Sequence, residues 1–392
     1  LALFVVNCLT MKILVALTYY RPHISGLTIY AERLARAWVR RGHTVTLLTS
    51  QYDASLPARE VVQGVDVVRV PVLMRISKGV VMPTIGWVAT QLVPRHDVLS
   101  LHLPQLDAAG LAARARVWHR PAVLTYHSDL ALPPSGVNWL AGSVVAMVNH
   151  VSARLSDKIV AHNADLARHS PFLSRYQHKV AYILPPLEMP EPTPEGVHAF
   201  RERHRLVGRG PIIGLAARLA AEKGVEYLFE ALPLVLEHYP SALILHVGPR
   251  EAIGEAAYLQ KLKPLMERYR AHYLSLGTLP EADMPSFFAS CDVLTLPSVN
   301  STETFGMVQV EAALCGTPCV ASALPGVREV HKLTGMGLAV PPRDPRALAG
   351  ALLEVLNNRE AYIRPRGPIA ELFAPSVTAT QYEELFETLL KN

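Results

Sequence analysis

Two glutamates eight positions apart, Glu303 and Glu311, carry the strongest chemical signal in the chain. They bracket Thr304, Phe305 and Gly306. A helix starting near Thr304 and running to Cys315, with Gly316 as its stop, would advance about 12 Å over eight residues and return to roughly the same side. Both carboxylates would then flank one elongated ligand, and the N–H groups of residues 304–306 could hold its anionic or hydroxyl groups. Carboxylates accept hydrogen bonds from sugar hydroxyls. Spacing alone is also met by two solvated helix glutamates, with Glu303 merely complementing the helix dipole.

A second group is Arg218 with Lys223-Gly224. Arg218 follows a predicted strand, Ile212–Ala216, and Lys223 stands at the mouth of the next helix. Two cations beside helix N–H groups make a phosphate site. An exposed loop pairing its charges with Glu222 or Glu226 would leave the same pattern. Ser25-Gly26, between the first strand and its helix, allows close backbone approach to a ligand. His127 follows a strand ending at Thr125, with Asp129 nearby to orient it, and His102 ends the preceding strand. A strand-end imidazole can donate or accept at a reacting centre, although a lone one is more often structural.

Other chemistry is missing from the sequence. There is no Asp-x-Asp pair to hold a divalent ion on a diphosphate, no Gly-x-Ser-x-Gly elbow, no His-Glu-x-x-His helix and no Walker-type Gly-Lys-Ser/Thr. What remains fits metal-free, cationic handling of a diphosphate leaving group.

These residues must be positioned by strands and helices, and the chain alternates the two in both halves. The buried-strand run Lys12–Leu17, a helix from Leu27 to Arg41 and a strand at Thr44–Leu48 form a βαβ unit, hence a parallel sheet. That helix carries an apolar face of Ile29, Leu34, Ala37 and Trp38, and a polar one of Arg33, Arg36 and Arg40. Further strands are predicted at Val65–Val70, Val98–Leu101, Ala122–Thr125, Lys158–Ala161 and Val180–Ile183. Pro185, Pro186, Pro190, Pro192 and Pro194 then mark a linker. The second half restarts at Ile212–Ala216, continues with a helix near Val225–His238, and adds strands at Ala242–Val247, His272–Leu276, Val293–Leu296 and Pro318–Ala321. The expected fold is α/β, with doubly wound parallel-sheet domains over 11–188 and 195–374 and a final helix at 377–390. Ligands of such sheets bind outside the carboxyl ends of the strands.

The 392 residues are half hydrophobic and 18% charged, a globular balance. Four cysteines fit no secreted disulfide framework; Cys315 and Cys319 lack a second pair for zinc, and buried free thiols are expected. No run of about 20 apolar residues predicts a spanning helix. Met11 is read as the start proper, with residues 1–10 upstream, and the localisation as cytoplasmic. The net charge of +5 divides into +9 over residues 11–190 and −4 over 191–392. A basic first half suits anionic lipid, nucleic acid or a phosphorylated substrate, but no Lys/Arg block or RNP-type motif supports nucleic acid. Leu106–Arg120 mixes Leu111, Val117 and Trp118 with Arg114, Arg116 and Arg120. It reads first as an amphipathic core helix and second as a membrane surface.

Together these residues resemble the retaining GT-B glycosyltransferases of family 4, from about Met11 to the C-terminus. Ser25-Gly26-Leu27 through Leu34-Ala35, with Arg41-Gly42-His43-Thr44-Val45-Thr46, is similar to the family's opening loop and helix. Arg218-Leu219 to Lys223-Gly224 is similar to its Gly-Arg-Leu-x-x-x-Lys-Gly element, and Glu303-Thr304-Phe305-Gly306 to Glu311-Ala312, then Gly316-Thr317-Pro318, to its E-x7-E region. Ser25 stands where the family often has Gly, and Ala217 replaces the usual Gly before Arg218.

The resemblance implies two Rossmann-like domains facing a cleft, with the final helix packing back on the first. It implies transfer of a hexose from a nucleotide-diphosphate sugar, UDP- or GDP-linked, to a lipid or glycan acceptor, with retention and without metal or other cofactor. Arg218 and Lys223 would bind the diphosphate, Glu311 the ribose, and Glu303 with the N–H groups of Phe305 and Gly306 the hexose. Thr304 belongs to the same donor segment. His127 would sit near the transferred sugar and Gly26 near the diphosphate. The basic first domain would receive the acceptor, with peripheral contact to the inner face of an anionic membrane as an option. A catalytically idle nucleotide-sugar binder and a nucleotide-sugar epimerase are the competing readings.

Overall fold

The computed structural model describes residues 10–76, 79–128, 136–249 and 255–391, so most of the upstream segment 1–10 lies outside it. The chain divides into two compact units, Leu1–Pro186 with Pro375–Asn392, and Leu187–Ala374.

The first unit is built on β1 (Lys12–Ala16), β2 (Thr44–Gln51), β3 (Arg59–Val62) and β4 (Val65–Pro71). Two short strands, β5 (Met74–Ile76) and β6 (Gly79–Val81), pair antiparallel on their own. The main sheet continues with β7 (Val98–Leu103), β8 (Ala122–Tyr126), β9 (Lys158–Ala161) and β10 (Val180–Tyr182). Its order is β10-β9-β8-β7-β1-β2-β4-β3, parallel throughout except for β3, antiparallel on the edge. Alternate residues of β1 enter opposite cores. Ile13 and Val15 join one cluster, Leu14 and Ala16 another. Both faces are therefore covered, which is why this strand reads as a continuous apolar run.

Helix Gly26–Arg40 starts one residue earlier than its pattern suggests, because Ser25 caps it by accepting from the N–H of Thr28 at 3.2 Å. Its polar face is a correction: Arg33 is buried. Helix Pro375–Lys391 packs beside helix Gly26–Arg40, and its Ala379, Tyr382 and Phe386 enter the same core as Leu34 and Trp38. Its Glu383 accepts two hydrogen bonds from Arg41, at 2.6 and 2.7 Å.

Leu106–Arg120 contains helix Ala108–Val117. Leu111 is buried, Trp118 packs against its cluster, and Val117 alone of the three stays exposed. Arg114 bonds Thr90 and Arg120 bonds the Pro94 carbonyl. Leu111 and Trp118 follow the core-helix reading, while Val117 stays on the surface. Among the described residues no helix is long and apolar enough to cross a membrane.

The second unit contains β11 (Ile212–Ala216), β12 (Leu243–Val247), β13 (Tyr273–Gly277), β14 (Val293–Leu296), β15 (Cys319–Ser322) and β16 (Gly337–Val340). The order is β13-β12-β11-β14-β15-β16, all parallel. β16 is not among the strands expected from the sequence. That glycine begins the strand at a φ of +117°, and a Cβ there would lie 1.9 Å from the Cys319 carbonyl oxygen. Cys291, Cys315 and Cys319 are buried free thiols. Burial pushes the Cys315 thiol up to about 12.

Candidate functional site

In the second sheet the strand order reverses between β11 and β14, and both strands end in candidate residues. A crevice at the carboxyl ends of such strands is the usual ligand site of an open parallel sheet. Beyond β11 come Arg218 and a short 3₁₀ turn, Ala221–Lys223; beyond β14 comes the loop from Pro297 to Gly306. Two contacts join these segments. The Val299 N–H donates to the Glu222 carbonyl at 3.0 Å, and the Lys223 ammonium meets the Glu303 carboxylate at 2.6 Å. The Ser298 hydroxyl lies 3.3 Å from the same carboxylate oxygen. Lys223 and Glu303, 80 positions apart, thus form one ion pair across the switch point. Arg218 pairs with Glu222, the loop pairing weighed from the sequence, while Glu226 is held by Tyr258 and Lys261.

Gly224 permits this approach. Its φ is +60°, and a Cβ would stand 2.3 Å from the Pro297 carbonyl oxygen and 2.6 Å from Val299 Cγ1. Replacing Gly224 by alanine should destabilise the protein by about 2 kcal/mol, combining left-handed strain with a backbone clash. Chemical denaturation measures this, and a loss under about 0.5 kcal/mol would show that the two loops part easily.

The helix expected from Thr304 to Cys315 is corrected. It runs from Met307 to Ala313. Gly306, at a φ of +75°, breaks it from the preceding segment, and Leu296 and Gln309 leave no room for a side chain there. Glu303 and Thr304 therefore sit in a loop, and only Glu311 is helical, buried on its own turn. The two glutamates therefore share no helical face. Lys223, not helical periodicity, orients Glu303. Phe305 is buried and stacks edge-on against Phe373 at 6.0 Å, anchoring the loop.

In the first unit the strand order reverses between β1 and β7. Gly26 is exposed as the first residue of the helix that follows β1, where N–H groups and the helix dipole favour an anion. His127 directly follows β8 and is half-buried. Its Nε2 lies 2.8 Å from His102 Nδ1. Tyr30 packs perpendicular to it at 4.7 Å, and His162 lies 5.9 Å away. Burial first, then the neighbouring imidazoles His102 and His162, holds the His127 pKa well below the ordinary range. It is a neutral imidazole at pH 7. Asp129, proposed to orient it, lies outside the described residues. His102, noted only as a strand end, and His162 and Tyr30, not singled out at all, surround it.

Residues 197–366 match the family model for glycosyl transferases group 1, and residues 25–186 match that of a glycosyl transferase 4-like domain. The D-inositol 3-phosphate glycosyltransferase of Xylanimonas cellulosilytica is 30% identical over 84% of this chain and 83% of its own length. The chain belongs to the group 1 glycosyltransferases. It is also 28% identical to the phosphatidyl-myo-inositol mannosyltransferase of Mycobacterium tuberculosis, over 93% of each chain. Among solved structures, Anabaena HepE in complex with UDP-glucose aligns with a TM-score of 0.77 at 19% identity, covering 96% of this chain and all of that one. Sucrose-phosphate synthase from Thermosynechococcus elongatus gives 0.75 at 19% identity, over 97% and 99% of the two chains. The fold of this glycosyltransferase is GT-B, with a Rossmann-like parallel sheet in each of two domains.

Proposed function

We propose that this glycosyltransferase moves a hexose from a UDP- or GDP-linked donor to a lipid or glycan acceptor, with retention at the anomeric carbon and without a metal. The observation that carries the reading is the Lys223–Glu303 pair at the switch point of the second sheet, with Arg218 on the same loop. When the bond between the anomeric carbon and the diphosphate oxygen breaks, negative charge grows on the diphosphate. Lys223 and Arg218 supply fixed cationic donors for it, the largest lever available to such a site. Glu303, held by Lys223 and near the Ser298 hydroxyl, would accept from hexose hydroxyls, with the backbone of Thr304, Phe305 and Gly306 beside it. Glu311 would accept from the ribose. In the first unit, Gly26 would approach the diphosphate at a helix N-terminus, and His127 would present a neutral imidazole to the transferred sugar.

Relatives named for inositol phosphate and phosphatidylinositol substrates support a phosphorylated or lipid acceptor. The net charge of +9 over residues 11–190 and the exposed Trp87 and Val117 support a peripheral contact with anionic membrane from the cytoplasm.

The test is a thermal-shift panel of UDP, GDP, ADP and their sugar conjugates, run with and without a chelator. A ligand at 100 times its dissociation constant should stabilise by about 2.7 kcal/mol. One nucleotide family is expected to give the shift. A flat panel from folded protein would overturn the donor reading, and a shift abolished by chelator would overturn its metal independence.

A further inference from the structure

Beyond the residues already given a role, the first unit holds a buried polar cluster behind His127. His102, in β7, is fully buried, and its Nδ1 is 2.8 Å from His127 Nε2. The ring planes differ by 18° and the centroids are 5.1 Å apart. That separation exceeds the N–N distance by about one ring radius at each end. The imidazoles therefore meet edge to edge in an in-line N–H···N bond, not face to face. On the other side of His102, Nε2 is 3.4 Å from the Ser100 hydroxyl, two residues earlier on the same strand face. His127 is held from other directions too. Its backbone N–H donates to the Leu103 carbonyl at 3.2 Å, and the ring of Tyr30 stands perpendicular to its own. The Tyr30 hydroxyl meets that of Tyr382 at 2.9 Å, and Tyr382 meets the Thr125 hydroxyl at 2.8 Å.

We propose that His102 is a positioning residue for glycosyl transfer, fixing the tautomer and ring plane of His127. The inference rests on the reading of His127 as facing the transferred sugar. A neutral imidazole carries one N–H and one lone pair, so exactly one ring of the pair donates across the 2.8 Å bond. If His127 donates through Nε2, its Nδ1 carries the lone pair. If His102 donates, His127 Nδ1 carries the proton. Either way His102 sets the polarity that Nδ1 of His127 offers to a sugar oxygen or hydroxyl. The Ser100 hydroxyl can donate or accept, so it completes whichever arrangement the pair adopts. Burial of His102 and the nearby His162 keep the pair uncharged, so the polarity does not change near neutral pH.

The experiment is 15N NMR of the histidine side chains in the whole protein, alongside kinetics. The wild type should show His127 as one tautomer. His102→Phe keeps a ring but no nitrogen, whereas His102→Asn places an amide where Nδ1 stood. In His102→Phe the His127 signals should move toward a mixture of tautomers, and kcat should fall about tenfold with the donor KM within about twofold. His102→Asn should recover much of both. An unchanged His127 tautomer in His102→Phe overturns the inference, whatever the kinetics. A lost tautomer with unchanged kcat overturns the sugar-facing reading of His127, and with it the part of His102 in transfer. If His102→Phe does not fold, His102→Leu gives the same readout.

Discussion

Replacing Lys223 by alanine should lower kcat about 100-fold, equivalent to roughly 2.7 kcal/mol of barrier. Two effects act in the same direction. The substitution removes a cation from where leaving-group charge develops; losing one such preorganised donor commonly costs 10²–10³ in rate. It also leaves Glu303, whose side chain is 14% exposed, without its 2.6 Å partner. An unpaired carboxylate there would repel the diphosphate and lose its fixed position. Lys223→Arg keeps the charge and should recover part of the rate, but not all, because a planar guanidinium does not reproduce the ammonium's geometry. Steady-state kinetics on the purified variants measure this. A Lys223→Ala enzyme within threefold of wild type would remove the diphosphate assignment, and with it the role of the switch point in donor binding.

The protein should lose stability steeply as the pH falls from 6.5 toward 4. His102 is held down to about 3, by burial first and then by His162, and burial holds His162 down to about 4, against an ordinary value of 6.5. Below 6.5 the unfolded chain binds a proton at each of these positions while the folded chain does not. Stability is therefore fully present above that pH and is lost as pH falls, ending only at the folded values. Each imidazole contributes a slope of about 1.4 kcal/mol per pH unit, so the pair contributes about 2.7. Glu383 acts in a lower window. Burial would raise its pKa, but hydrogen bonds from His43 and Arg41 overcome this and hold it near 2, against 4.5. The stability it contributes is present above 4.5 and is lost as pH falls through 2. Urea midpoints measured every half pH unit should show the first slope, and His162→Phe should reduce it by about 1.4 kcal/mol per pH unit. A flat midpoint between pH 6.5 and 4.5 would mean that the cluster opens to water and charges without unfolding.

Much of this glycosyltransferase was legible in its residues. Parallel strands buried on both faces leave short, continuous apolar runs, and β1, β9, β11 and β14 stand where those runs lie. The proline cluster after Ile183 spans the point where the first unit ends, at Pro186. Elements that depend on partners were not legible. β3 is a four-residue edge strand of mixed exposure, and β16 begins at a glycine accommodated by Cys319 of the neighbouring strand. Arg33 reads as a solvent-facing charge, yet it is buried in the folded chain.

The candidate site divides in the same way. Sequence by itself determined which residues are candidates for the chemistry, because charge, imidazole and left-handed glycine are properties of the residue type and of its immediate neighbours. Arg218, Lys223, Glu303, Glu311 and His127 needed no partner to be singled out. Tertiary structure alone decided what each one touches. Lys223 reaches Glu303 because Gly224 lets one loop close on another 80 residues away, and His127 takes its orientation from His102 on the adjoining strand. A hydrogen bond extends only about 3 Å. Which groups come within that reach is set by sheet order and register, and these emerge only when distant strands pair.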